Sequence, residues 1–136
     1  MQTLFGFILA PARLRLLFWL LLGLTLMMAL LPHPPHVVLD RFGDKAEHMV
    51  AFFTLTLVAD LGWRDARRWA LLGWLAAFGA AIEFLQEIPA LQRDSDWHDW
   101  VADVLAVLLA LALARLIEPL ADWLSGSDAD TAAPQD

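Results

Sequence analysis

The chain has 136 residues, 60% of them hydrophobic, and its mean hydropathy is positive. That is more apolar than a soluble domain of this length and points to a membrane protein. A formal charge of −7 argues against a nucleic-acid partner, and with no cysteine there is neither a disulfide framework nor a thiolate metal site.

Residues 1–15 are expected to be cytoplasmic or interfacial, with Pro11 marking where a first crossing begins. Four apolar stretches follow, at 16–31, 49–59, 69–82 and 104–114. A helix needs about 20 residues to cross the hydrocarbon core, so the last three span only by drawing polar neighbours in with them. Arg13 and Arg15 ahead of the first apolar run resemble the start of a signal peptide, but no small-x-small cleavage site follows, and the segment reads as a retained anchor.

After the first crossing, the prolines of "PHPPHVVLDRFG" predict an outer loop carrying His33 and His36. A second crossing is predicted over 44–62, an inner turn at "WRDARRW", and a third crossing to about Glu87, stopped by Pro89. A second outer loop, "PALQRDSDWHD", leads into a last crossing over 97–117, and the acidic tail 119–136 is expected to be disordered. The expected fold is therefore all-α: a membrane-embedded bundle of four transmembrane helices over 16–118, with both termini cytoplasmic. That orientation puts Arg13, Arg15, Arg64, Arg67, Arg68 and Arg115 inside, as the positive-inside bias requires. It also puts Trp63, Trp69 and Trp123 at the inner interface and Trp97 and Trp100 at the outer one.

Ionisable residues recur at one depth in three of these helices. At about 1.5 Å per residue, His48, Glu83 and Asp103 each lie roughly 18 to 24 Å from the inner-side arginine on the same helix. Helical spacing gathers Asp44, Lys45, His48 and Phe52 on one face, Glu83 and Gln86 on another, and Asp96, Asp99 and Asp103 on a third. Small residues continue two of these faces inward: Ala80, Gly79, Ala76 and Gly73 below Glu83, and Ala106 and Ala110 below Asp103. Helices in lipid associate through such close approaches, so the carboxylates are expected to face the bundle centre. The expected pairs are Lys45 with Glu83, and Arg93 with Asp99 or Asp103.

"DKAEHMVAFFTL" resembles the Asp-Lys-x-x-His-x-x-x-Phe-Phe signature of VanZ-like membrane proteins. "EFLQEIPALQRDSDWHDWVADVLA" is similar to that family's Glu-x-x-Gln, Arg, Asp-x-x-x-Asn/Asp-x-x-Gly pattern. The likeness covers about 44–114 and departs from the pattern at Gln92, Asp103 and Ala106. It implies that Asp44, Lys45, His48, Phe52, Glu83, Gln86, Arg93, Asp99 and Asp103 are the family-type positions. It further implies a bacterial plasma-membrane protein, of a family whose named member is associated with resistance to the antibiotic teicoplanin.

Three functions fit this pattern. In the favoured one, an outward-facing polar pocket binds a cell-envelope lipid or peptidoglycan-precursor head group, with Lys45 and Arg93 holding an anion. A second makes the chain a hydrolase or transferase on a lipid-linked substrate, with His48 as base and Glu83 or Asp103 as acid, although no nucleophile is evident. A third is a small proton- or ion-coupled carrier, which lacks the expected repeats or broken helices. His48, Glu83 and Asp103 are of metal-ligating type, but no dense spacing such as HxxxH accompanies them. No metal and no cofactor is therefore expected.

Overall fold

A computed structural model describes residues 10–32, 43–93 and 95–130. Four α-helices make up the fold among these residues: α1 (Pro11–Leu30), α2 (Asp44–Gly62), α3 (Arg68–Gln86) and α4 (Trp97–Asp130), with a single 3-10 turn at Pro89–Leu91. Local chemistry sets most boundaries. Pro11 opens α1, where its fixed φ and missing N–H suit the first turn. Pro32 pushes Leu31 into extended backbone and closes the helix. Gly43 precedes α2 with φ +85°, a conformation that L side chains rarely adopt. Pro89 keeps Ile88 extended, and the turn that follows ends on Gln92 in the left-handed region.

Hydrogen bonds between helix ends show that the chain runs up and down. Arg15 Nε donates to the carbonyl of Gly62 at 2.9 Å, joining the start of α1 to the end of α2. At the opposite end, Gln86 Nε2 donates to the carbonyl of Ala29 at 3.0 Å, satisfying one of the last carbonyls of α1, which has no partner within its own helix. α2 lies against both α1 and α4, and α3 closes the group against α4.

The core is built from Phe18, Ala29, Phe52, Leu55, Ala59, Leu75, Ile82, Ala106 and Val107. Thr56 is fully buried among them because its hydroxyl donates back to the carbonyl of Phe52 at 2.6 Å. The periphery is apolar as well: Leu20 is 62% exposed, Phe84 71% and Leu116 74%. Glu83, Asp99 and Asp103, by contrast, are buried inside, an arrangement suited to lipid rather than water.

Three helical segments, Pro11–Leu30, Arg68–Gln86 and Trp97–Pro119, are long and apolar enough to cross a membrane. α2 is not among them, for it carries Asp44, Lys45, Glu47 and Asp60. The last helix is longer than composition predicts. Where a disordered tail is expected from 119, α4 continues through Pro119 to Asp130. A proline removes only its own bond to the carbonyl four residues back, and Leu120, Ala121 and Leu124 favour helix beyond it. Residues 131–136 lie outside the described residues, as do 1–9 of the expected interfacial segment.

The small-residue faces divide. Ala106 and Ala110 are fully buried, as expected below Asp103, and Gly79 is buried too. Ala80 and Gly73 are exposed, and a Cβ at Gly73 would meet nothing within 4 Å. Close approach of α3 is therefore concentrated at Gly79 and does not run along the whole stripe.

Candidate functional site

The ionisable groups converge at the end of the bundle where α2 and α4 begin and α3 finishes. Lys45, in the first turn of α2, reaches across to α4 and donates from Nζ to Asp96 Oδ2 and to Asp99 Oδ1, both at 2.9 Å. One turn further along α2, His48 Nδ1 lies 3.1 Å from Asp103 Oδ1. Asp103 is fully buried, whereas the His48 side chain is 10% exposed.

Glu83 enters from the last turn of α3, where the negative end of the helix dipole disfavours a carboxylate. Two groups of the following connection compensate it. The hydroxyl of Ser95 donates to Glu83 Oε2 at 3.2 Å, and the backbone N–H of Asp96 donates to the same oxygen at 2.9 Å. Glu83 Oε1 and Asp103 Oδ2 are buried with no hydrogen-bond partner among the described residues. One ring nitrogen of His48, one oxygen of Glu83 and one of Asp99 lie within 4.8 Å of one another.

Below the cluster the helices close tightly. A Cβ built on Gly79 would come 2.8 Å from Asp103 Oδ2 and 3.4 Å from Phe52 Cζ, so glycine leaves the room that the buried carboxylate occupies. Trp100 Nε1 donates to the carbonyl of Ala76 at 2.9 Å and pins α4 to α3 beside it. An apolar groove lined by Met49, Val50, Phe53, Thr54, Ala106 and Leu109 begins within a turn of His48 and Asp103, between α2 and α4.

Five of the residues singled out in the sequence thus meet: Lys45, His48, Glu83, Asp99 and Asp103. The pairs differ from expectation. Lys45 holds Asp96 and Asp99 and not Glu83, because the start of α2 faces the start of α4 while Glu83 is turned to the Ser95–Asp96 backbone. Arg93 forms no pair with Asp99 or Asp103; its Nε is buried and has no partner among the described residues. Gln86 is directed to α1 and acts as a brace between helix ends. The side chain of Asp44 lies outside the described residues, as do Asp94, His33 and His36.

Ser95 is a site residue that the sequence pattern does not flag, and Gly79 is flagged only within a stripe of small residues. A serine between two aspartates carries no spacing signal, and Gly79 is one of several small residues on α3. Asp96, grouped by spacing with Asp99 and Asp103, is pinned on three sides. The backbone N–H of His98 first, then the Lys45 ammonium and the His98 ring, hold its carboxyl below the usual carboxylate range.

No protein-family model, curated protein or solved structure matches the chain.

Proposed function

We propose that this chain is a VanZ-like protein of the bacterial plasma membrane that crosses it four times, with both termini cytoplasmic, and binds the head group of an envelope amphiphile on the outer side. The observation that carries the reading is the junction of two unlike surfaces. A polar cluster at the helix ends adjoins an apolar groove between α2 and α4, so a molecule with a charged head and a hydrocarbon chain would meet complementary surface along its length. Arg93 supplies the anion contact, since its Nε is buried without a partner among the described residues and a guanidinium binds phosphate bidentately. Lys45, held by two aspartates, has a positioning role.

Four crossings require α2 to enter the membrane with its charges, and the ion pairs to α4 lower the cost of doing so. Arg15, Arg68 and Arg115 lie at the opposite end from the cluster, in keeping with an outward-facing site. Sequestering a precursor head group, or altering access to it, would change susceptibility to glycopeptides of the teicoplanin type. Native mass spectrometry of the purified chain tests the reading. A bound lipid with an anionic or phosphorylated head group is expected, lost in Arg93→Ala and displaced when Thr54→Trp fills the groove. The same lipid content in both variants would remove its basis.

One observation favours a second reading. His48 is oriented by a buried aspartate, as a general base is in acid–base catalysis, which fits a hydrolase or transferase acting on a lipid-linked substrate. Turnover of a polyprenyl-phosphate or phospholipid substrate, abolished in His48→Ala with the fold intact, distinguishes it from binding alone.

A further inference from the structure

Three groups at the helix ends are each fixed through one polar atom. His48 is held at Nδ1 by Asp103, which leaves Nε2. Glu83, only 8% exposed, is held at Oε2 by Ser95 and the Asp96 backbone, which leaves Oε1 buried with no partner among the described residues. Asp99, also 8% exposed, is held at Oδ1 by Lys45. A carboxylate oxygen buried at the negative end of a helix, with no donor to receive, calls for a positive charge. Lys45 does not supply it to Glu83, because its ammonium lies on Asp96 and Asp99.

We infer that His48, Glu83 and Asp99 hold a divalent transition-metal ion, with Asp103, Ser95 and Lys45 orienting the three ligands. The geometry is close to what such an ion needs. Donors held about 2.1 Å from a tetrahedral zinc ion stand about 3.4 Å apart, and the three donors here lie within 4.8 Å of each other, so an inward turn of the side chains by about 1 Å closes them on the ion. The surroundings also match, since a metal-bound histidine ordinarily gives its second ring nitrogen to a carboxylate, and ligating carboxylates are themselves hydrogen-bonded. One imidazole with two carboxylates selects zinc or a neighbouring first-row ion over magnesium or calcium, which favour oxygen donors alone. The ligands come from three helices, so the ion would tie together α2, α3 and α4 at the end where Glu83 is least well compensated.

This inference does not rest on the head-group reading, because the ion binds or fails to bind whatever Arg93 does. The test uses the full chain in detergent without added lipid, titrated with Zn²⁺ against a chromogenic chelator and, separately, with Co²⁺ followed by visible absorption. One ion per chain is expected. His48→Ala and Glu83→Gln should each weaken binding at least tenfold and abolish the Co²⁺ bands, and Asp103→Asn should weaken it by about 10- to 100-fold as an orienting residue does. His98→Ala should bind as wild type does. Circular dichroism and gel filtration establish folding of each variant, and Asp99→Asn stands in for Glu83→Gln if the latter does not fold. Absence of a stoichiometric ion in the wild type overturns the inference. So does binding retained in folded His48→Ala, or binding lost in His98→Ala, which would place the ion on the exposed His98–Asp96 pair.

Discussion

Gly79 and Asp103 meet without room for one more carbon. A Cβ on Gly79 would stand 2.8 Å from Asp103 Oδ2 and 3.3 Å from Trp100 Cδ1. The carboxylate cannot turn aside freely, because its other oxygen is engaged with His48. Gly79→Ala is therefore expected to push α3 from α4 and destabilise the fold by about 1–3 kcal/mol. Gly73→Ala, on the same helix with nothing within 4 Å, should be neutral or stabilise by a fraction of a kcal/mol, up to about 1. Unfolding of both variants in detergent decides the matter, and equal stability would mean that α3 does not depend on this approach.

The depth of the polar layer was legible because a helix rises by a fixed amount per residue: counting along each stretch brings His48, Glu83 and Asp103 to one level before any contact is known. Which partner each would take was not legible. Lys45 could reach carboxylates on two helices, and only the facing of α2 and α4 decides for Asp96 and Asp99. Ser95 gained its role from the backbone path after Gln92, whose left-handed conformation no spacing rule announces. The continuation of α4 past Pro119 shows the opposite limit, since an acidic, proline-containing composition argues for disorder while a single proline leaves most helical bonds intact.

His48 and Asp103 should behave as one unit. Removing either leaves the other's polar atom buried without its partner, so most of the loss is incurred by the first substitution. In a double-mutant cycle with His48→Ala and Asp103→Ala, a coupling energy of about 1–3 kcal/mol is expected from denaturant unfolding. Additive effects would show that the contact contributes nothing of its own.

At the other end of the bundle, Arg68 joins α2, α3 and α4. It forms two hydrogen bonds to Asp60, at 2.9 and 3.2 Å, and an ion pair to Glu118. The two acceptors differ in setting, the Asp60 side chain being 15% exposed and that of Glu118 57%. Asp60→Asn should thus cost about 1.5–3 kcal/mol, as expected for charge-assisted bonds held from water. Glu118→Gln should cost less than about 1 kcal/mol and lose its effect in high salt. A larger effect at Glu118 would reverse the assignment of Asp60 as the anchor.

Asp96 gives a pH dependence whose sign is fixed by its partners. Its folded-state carboxyl lies below the ordinary aspartate value of about 3.9, held there by the His98 backbone N–H, by Lys45 and by the His98 ring. Between the two values the folded chain binds a proton less readily than the unfolded chain, so protonation favours unfolding. The stabilising contribution is complete above about pH 4 and is lost as the pH falls through the folded-state value. Wild type compared with Asp96→Asn should therefore show a constant difference in melting temperature at higher pH that narrows below about pH 4. Because the group is exposed, added salt should shrink that difference throughout. A gap that widened on acidification would mean that Asp96 binds its proton more tightly in the folded chain, contrary to the three contacts that hold it.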